Sequence, residues 1–276
     1  MPNPLLSPDS LNAAAGREEN RSGWAAPDPQ SVIGVEPGLA HDPVTRWHGG
    51  LATASGAASA TLMLLLLMVA AGTFTWFATD TAADGTVVSF PVGWVIGGFV
   101  VGLIAVLAAQ FRPHVSRWLA PVYAVAEGVV LGAISRAYES AYDGIVLQAV
   151  GATLGVFTVM LLMYRAGMIR VNARYRRIVM GATLGVLGFY LVSWLIGLFG
   201  STPSYMTEGT GLGIIVSLVV TAVAAANLAL DFDLIDTAER ERMPAYMEWY
   251  CAMGLLVTLV WLYLEMLRLL SKLRDN

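Results

Sequence analysis

The chain has little cysteine, little histidine and little charge. A single cysteine, Cys251, excludes an internal disulfide. The three histidines, His41, His48 and His114, have no spacing typical of a zinc or iron site, and the sequence assigns no metal ligands. Neither a glycine-rich phosphate loop nor a Ser/His/Asp set is recognisable, so we expect no enzyme activity and no cofactor. No basic patch with interleaved aromatics is present, so we expect no nucleic-acid partner.

Hydrophobic residues make up 57% of the chain and charged residues 13%, whereas a soluble domain averages about 25% charged residues. A transmembrane helix needs roughly 20 mostly apolar residues. Seven runs of this kind occur, at 55–78, 88–110, 119–139, 145–165, 177–200, 211–235 and 248–270. The sequence therefore predicts an all-α integral membrane protein, a seven-transmembrane-helix bundle over residues 51–276 that sits in the lipid bilayer. Residues 1–50 are polar and lack periodicity, which predicts a disordered N-terminal tail.

The distribution of arginine predicts the orientation of the bundle. Arginines occur in the loops after runs two, four and six, while the loops at 79–87 and 201–210 contain no lysine or arginine. Positive charge in short loops marks the cytoplasmic side, which places the N-terminus in the cytoplasm. The basic residues at the end of the chain argue for a cytoplasmic C-terminus, which conflicts with a seventh crossing. A re-entrant last segment is the alternative, but the absence of proline from 248–270 favours a full crossing.

Ionisable side chains inside a membrane are expensive, so each one is a candidate for function. At about 1.5 Å per residue, Glu127 lies near the middle of its run, and Asp231 lies about one turn from the cytoplasmic face. These two residues are the leading candidates for a proton or ion path, and we expect them to share the inner half of the bundle. Glu265 lies near the outer face, where we expect Arg136 or Arg268 to form an ion pair with it.

Burial disfavours the ionised form of a carboxyl group, so such a group can titrate near neutral pH. Asp233 follows Asp231 and is expected at the inner interface, as a weaker candidate. Three G-x-x-x-G pairs predict close helix packing within the chain: Gly128 with Gly132, Gly151 with Gly155, and Gly181 with Gly185.

Four short motifs occur in order along the chain. They are Glu127-Gly128-Val129-Val130-Leu131-Gly132, the spacing Ala149, Thr153, Phe157, the segment Leu230-Asp231-Phe232-Asp233-Leu234-Ile235, and the ending Leu267-Arg268-Leu269-Leu270-Ser271. Together, over about 87–272, they resemble signatures of the transmembrane Bax inhibitor motif family, closest to an actinobacterial branch. The resemblance implies a seven-helix bundle with a central last helix, in the bacterial inner membrane.

The resemblance also implies a pH-sensitive cation path, usually discussed as a calcium leak. In that family two aspartates, one on each of the last two helices, share a proton and close the path. Asp231 matches the first. Motif alignment leaves Thr258 or Glu265 at the second position, and helix depth favours Thr258.

These observations predict a pH-sensitive cation leak, for calcium or protons, with Glu127 and Asp231 in the path. The alternative is a non-conducting membrane protein that regulates a partner, such as a membrane protease or a stress-response factor.

Overall fold

A computed structural model of the chain describes residues 50–81, 87–89, 92–198 and 210–275. The predicted disorder of residues 1–50 therefore concerns residues that lie, apart from Gly50, outside the described ranges. Seven α-helices account for most of the described residues: α1 (Ala54–Ala78), α2 (Val92–Phe111), α3 (Ser116–Ala141), α4 (Ile145–Arg165), α5 (Ala173–Leu198), α6 (Gly211–Arg240) and α7 (Tyr246–Arg274). Between α1 and α2, the short strands β1 (Asp80–Thr81) and β2 (Val87–Ser89) pair antiparallel. A 3-10 turn at Pro113–Val115 precedes α3.

All seven helices are long and apolar enough to cross a membrane, which confirms the predicted fold class. The boundaries differ from the apolar runs in two places. Residues at the start of the second run form β2, so α2 begins only at Val92. The sixth helix continues past its apolar run to Arg240, because backbone hydrogen bonding rather than hydropathy decides where a helix ends.

The last helix is uninterrupted from Tyr246 to Arg274. A continuous helix of this length has the form of a full membrane crossing and not of a re-entrant segment.

The last helix lies at the centre of the bundle. It packs against α1, α3, α4 and α6, and half of its most apolar window is buried inside the protein. By contrast, α5 packs mainly on α6 and α2 mainly on α3. We call the end of the bundle that carries the arginine-bearing loops the basic end. The helix termini at this end are Ala54, Phe111, Ser116, Arg165, Ala173, Arg240 and Tyr246. The other end is called the opposite end.

Hydrogen bonds join the beginning of α1 to α7 at the basic end. Thr53 caps α1, its hydroxyl accepting a hydrogen bond from the Gly56 amide at 2.9 Å. Both the backbone N–H and the hydroxyl of Thr53 donate to Oε1 of Glu248 on α7, each at 2.9 Å. A Cβ on Gly56 would lie 1.9 Å from the same carboxylate oxygen, so only glycine leaves room for this contact.

One of the three predicted glycine pairs packs as expected. A Cβ on Gly128 would lie 2.4 Å from the carbonyl oxygen of Met68, and one on Gly132 would lie 2.2 Å from that of Gly72. These glycines allow the backbones of α1 and α3 to touch. The pairs on α4 and α5 do not pack in this way, because a Cβ on Gly151, Gly155, Gly181 or Gly185 would meet nothing within 4 Å. Spacing defines a helix face but not what lies opposite it.

Candidate functional site

The carboxylate of Asp231 on α6 faces three residues of α7. Cys251, Gly254 and Thr258 follow one another at spacings of three and four, which places them on one face of the helix. Oδ1 of Asp231 lies 3.8 Å from the position of a Cβ on Gly254. Cys251 and Thr258 are its neighbours on either side. In the described part of the chain, Oδ2 of Asp231 is buried and has no hydrogen-bond partner.

The Thr258 hydroxyl has two acceptors within reach. It lies 3.3 Å from the carbonyl oxygen of Gly254, and it also interacts with the carboxylate of Asp231. A hydroxyl has one hydrogen to donate and can also accept. Thr258 can therefore donate to an ionised Asp231, or accept from a protonated one while it donates to Gly254.

Asp231 lies deeper in its helix than the sequence predicts. Since α6 ends at Arg240, Asp231 is about 13 Å from the helix end at ~1.5 Å per residue. The predicted depth of about one turn assumed that the helix stops where its apolar run stops. The added length places Asp231 within the packed part of the bundle, beside the buried residues Leu228, Ala229 and Phe232.

Glu127 occupies a different interface. Its Oε2 lies 3.1 Å from the position of a Cβ on Gly102, so this side chain faces α2, one turn from the buried Tyr123. Measured from Ser116, its depth is about 16 Å, similar to that of Asp231. However, α7 packs against both α3 and α6, and those two helices barely touch in the described ranges. The structure therefore does not bring Glu127 and Asp231 together in one site.

Glu265 belongs to a separate cluster toward the opposite end. Its Oε1 accepts hydrogen bonds from the Tyr190 hydroxyl on α5 at 2.7 Å and from Nη1 of Arg268 at 2.8 Å. Arg268 also donates to the Tyr190 hydroxyl, and its guanidinium lies 4.9 Å from the centre of that ring. The side chain of Glu265 is only 2% exposed. Of the two arginines expected to pair with Glu265, Arg268 forms the ion pair. The guanidinium of Arg136 instead lies over the ring of Trp76, 5.1 Å from the ring centre.

The basic residues at the end of α7 contact other parts of the protein. Lys272 is 3% exposed, and its Nζ donates to the carbonyl oxygen of Gly213 at 3.2 Å and to the hydroxyl of Ser217 at 3.0 Å. Arg274 donates to the carbonyl oxygen of Asp143 at 2.7 Å. With Arg268 bound to Glu265, each of these three cations has a partner, Lys272 in the interior and Arg274 at the exposed surface. That explains how a basic C-terminus is accommodated at the end opposite to the arginine-bearing loops.

Asp233 and Asp236 lie nearer the basic end and have their own partners. Asp233 forms an ion pair with Arg176 of α5 at 2.9 Å, which joins α5 to α6. The hydroxyl of Tyr164 on α4 donates to Asp236 at 2.8 Å. Asp233 is therefore an inter-helix contact in this structure, separate from the site around Asp231.

Two participants in these clusters were not among the predicted site residues. Tyr190 carries no signal in the sequence, because a tyrosine in an apolar helix is indistinguishable from an interfacial anchor. Lys272 had a usable signal, since Glu265, Arg268 and Lys272 are spaced by three and four residues and therefore share one helix face.

Among the described residues, Glu127, Asp231 and Glu265 lie in three separate places in the bundle. Within the residues that the structure describes, no group of three or more His, Cys, Asp or Glu side chains could hold a metal ion. Calcium takes six to eight oxygen ligands in its tight sites.

A family model described as Bax inhibitor 1 like matches residues 3–275. The match covers both the N-terminal tail and α1, which the short motifs over 87–272 had left outside the resemblance. A search of curated proteins gave no significant match. The matched range takes in all seven membrane-spanning helices, and the chain therefore belongs to the Bax inhibitor 1 like family of multi-pass membrane proteins.

Proposed function

We propose that the protein is a pH-sensitive cation leak of the bacterial cytoplasmic membrane, with a cytoplasmic N-terminus, and not an enzyme. Asp231 is its gating carboxylate. The observation that carries the proposal is the buried Oδ2 of Asp231, which has no hydrogen-bond partner among the described residues. A buried polar atom without a partner is unfavourable, and for a carboxylate the penalty is large. A proton or a passing cation removes that penalty.

The two protonation states of Asp231 favour different arrangements of α6 and α7. Protonated Asp231 is neutral and can donate to the Thr258 hydroxyl, so the two helices stay packed and the path is closed. Ionised Asp231 needs water or a cation at Oδ2, which the closed interface does not supply. Ionisation therefore separates the helices locally and admits the ion. The small residues Gly254 and Cys251 leave room for this movement beside Asp231.

Glu127 acts as a second, independent pH-sensitive group. Its depth is similar to that of Asp231, and it has no hydrogen bond or ion pair within the described residues. Because it faces α2 rather than α7, it contributes to the response without belonging to the Asp231 gate.

The proposal is tested with purified protein in liposomes that contain a calcium-sensitive dye. Wild-type protein should admit calcium at a rate that rises with pH. Asp231→Asn, which mimics the protonated acid, should leak slowly at every pH. The matched control is Glu239→Gln, an exposed residue near the end of the same helix, which should behave as wild type. Calcium entry no faster than in protein-free liposomes would reject the leak and favour the alternative, a non-conducting regulator of a membrane protease or a stress-response factor.

A further inference from the structure

A groove runs along the bundle between α1 and α4. These two helices face each other across α7 but make almost no direct contact through their described residues. The space between them is a cavity of about 620 Å³ whose floor is formed by α3 and α7. A second cavity of about 310 Å³ continues it toward the basic end. The two share Thr61, Leu65 and Phe157, so they form one continuous groove.

The groove is apolar and opens sideways. Its rim includes Val69, Phe77 and Leu154, which are 63%, 80% and 55% exposed. From Ala54 to Phe77 it extends for about 35 Å of helix, comparable to the ~30 Å hydrocarbon core of a bilayer. In a membrane such a groove faces acyl chains. Because empty space forfeits dispersion contacts on both walls, an apolar chain will fill it.

The end of the groove near the arginine-bearing loops carries two opposite charges. Arg165 and Asp236 both line the second cavity. They form no ion pair with each other, since the ion pairs formed by described residues are Arg176 with Asp233 and Arg268 with Glu265. The Tyr164 hydroxyl donates to Asp236 at 2.8 Å and holds that carboxylate in place. A cation and an anion separated at the mouth of an apolar groove match a zwitterionic head group.

We propose that this groove binds a phosphatidylethanolamine-type phospholipid, with an acyl chain between α1 and α4, its phosphate on Arg165 and its ammonium on Asp236. The opposite charges of Arg165 and Asp236 favour an ethanolamine head group over other phospholipid head groups. An ethanolamine ammonium donates charged hydrogen bonds to a carboxylate, whereas a choline group has no N–H to donate and a glycerol head group carries no positive charge. The lining also includes small residues such as Gly72, Gly132 and Thr153, which a partner helix would favour, but the separated charges at the mouth match a zwitterionic head group rather than an apolar helix. This inference is independent of whether the protein conducts ions.

Photo-crosslinking tests the acyl-chain part of the proposal. The full-length protein is placed in bilayers containing phosphatidylethanolamine with a photoactivatable acyl chain, and crosslinked peptides are identified. Val150→Trp and Thr73→Trp fill the groove from its two walls. Each should lower crosslinking at the groove by about tenfold, the effect of displacing roughly two methylene groups.

Val159→Trp is the matched control for the groove. Val159 is 54% exposed on the other side of α4 and does not line the groove, so its replacement should leave crosslinking unchanged. Two tryptophans on opposite walls keep the test valid if one variant fails to fold. Crosslinking that survives both, or that falls equally in Val159→Trp, would mean ordinary boundary lipid and overturn the proposal.

Competition with unlabelled lipids tests the head-group part. Phosphatidylethanolamine should displace the probe from the groove more strongly than phosphatidylcholine or phosphatidylglycerol. Asp236→Asn should remove the preference over choline, and Arg165→Gln should weaken binding of all phospholipids. Arg170→Gln removes the same charge from the neighbouring loop and should change neither result. Equal competition by the three lipids in the wild type would refute the assigned head group.

Discussion

The side chain of Thr258 on α7 faces the carboxylate of Asp231 on α6. Glu265 lies about 10 Å further along α7 and is bound by Tyr190 and Arg268 instead. Of the two residues that motif alignment allows at the second position, Thr258 is the one that faces Asp231. Thr258 can hold the proton of Asp231 in a hydrogen bond, but it cannot share that proton as a second carboxylate would.

Introducing an acid at this position should shift and strengthen the pH response. In Thr258→Asp, two close carboxylates would share one proton, so the calcium-flux transition should move up by roughly one pH unit and the contrast between the closed and open states should increase. The double variant Thr258→Asp with Asp231→Asn should lose this gain. A wild-type response that is abolished by Glu265→Gln and ignores Thr258→Asp would show that Glu265 is the second acid.

Neutralising Glu127 should remove an independent part of the pH response. Glu127→Gln is expected to fold normally and to flatten the flux profile. Because Glu127 and Asp231 lie at different helix interfaces, their effects on the logarithm of the flux should add in the double variant. If the profile of Glu127→Gln matches that of the wild type, Glu127 is not a sensor. If the double variant equals either single variant, the two residues act as one site.

Loss of the Tyr190 hydroxyl should destabilise the bundle. Glu265 has a buried Oε2 without a hydrogen-bond partner in the described part of the chain, so Oε1 carries its polar contacts. Tyr190→Phe should lower the free energy of unfolding by about 1.5–3 kcal/mol, the range for hydrogen bonds to charged groups.

The matched variant is Tyr175→Phe, on the same helix. The Tyr175 hydroxyl donates to the carbonyl oxygen of Ala226 at 3.0 Å, a neutral bond worth about 0.5–1.5 kcal/mol. Unfolding of both variants in mixed micelles measures the difference. Equal losses would indicate that the charge of Glu265 adds nothing to the Tyr190 contact.

Two glycine substitutions should differ although both glycines belong to G-x-x-x-G pairs. In Gly132→Ala the new methyl group would lie 2.2 Å from the carbonyl oxygen of Gly72, so α1 and α3 must separate. We expect a loss of about 1–3 kcal/mol in unfolding free energy, typical of overpacking. In Gly151→Ala the methyl group meets nothing within 4 Å, and the change should stay within about 0.5 kcal/mol. A large loss in Gly151→Ala would reveal an interface between copies of the chain.

The orientation of the bundle predicts the location of fused reporters. A reporter after Arg174 should be active in the cytoplasm, and one after Gly200 should be active in the periplasm, because arginine marks the cytoplasmic loops. A reporter after Asn276 should be periplasmic, since α7 is uninterrupted. Opposite results at Arg174 and Gly200 would invert the orientation, and a cytoplasmic reporter at Asn276 would contradict the full crossing of α7.

Hydropathy predicted the number of helices and the approximate depth of Glu127, but it underestimated the depth of Asp231 and did not predict which neighbour each carboxylate faces. Depth follows from helical rise along one axis, whereas the facing partner depends on how each helix is rotated and where it stands in the bundle. Glu127 and Asp231 have similar depths and yet face different helices. For the same reason, spacing could not tell that Gly132 meets another backbone while Gly151 meets open space.

Side-chain contacts between different helices could not be predicted from the sequence either. Glu265 and Arg268 are three residues apart on one helix face, whereas Tyr190, which contacts both, lies on another helix whose packing the sequence does not fix. The depth of Asp231 was underestimated because its helix continues through Asp233 and Asp236, whose partners Arg176 and Tyr164 come from other helices.

The contact between Thr53 and Glu248 has a consequence for biogenesis. A ribosome delivers α1 first and α7 last, yet the amide and hydroxyl at the start of α1 find their acceptor on α7. The helix that occupies the centre of the bundle is made after the other six. The pairs α1–α3 and α2–α3 can pack before α7 is made, but the contacts of α1, α4 and α6 with α7 must wait for it. A chain that ends early, before residue 246, would leave the other six helices without the element around which they assemble.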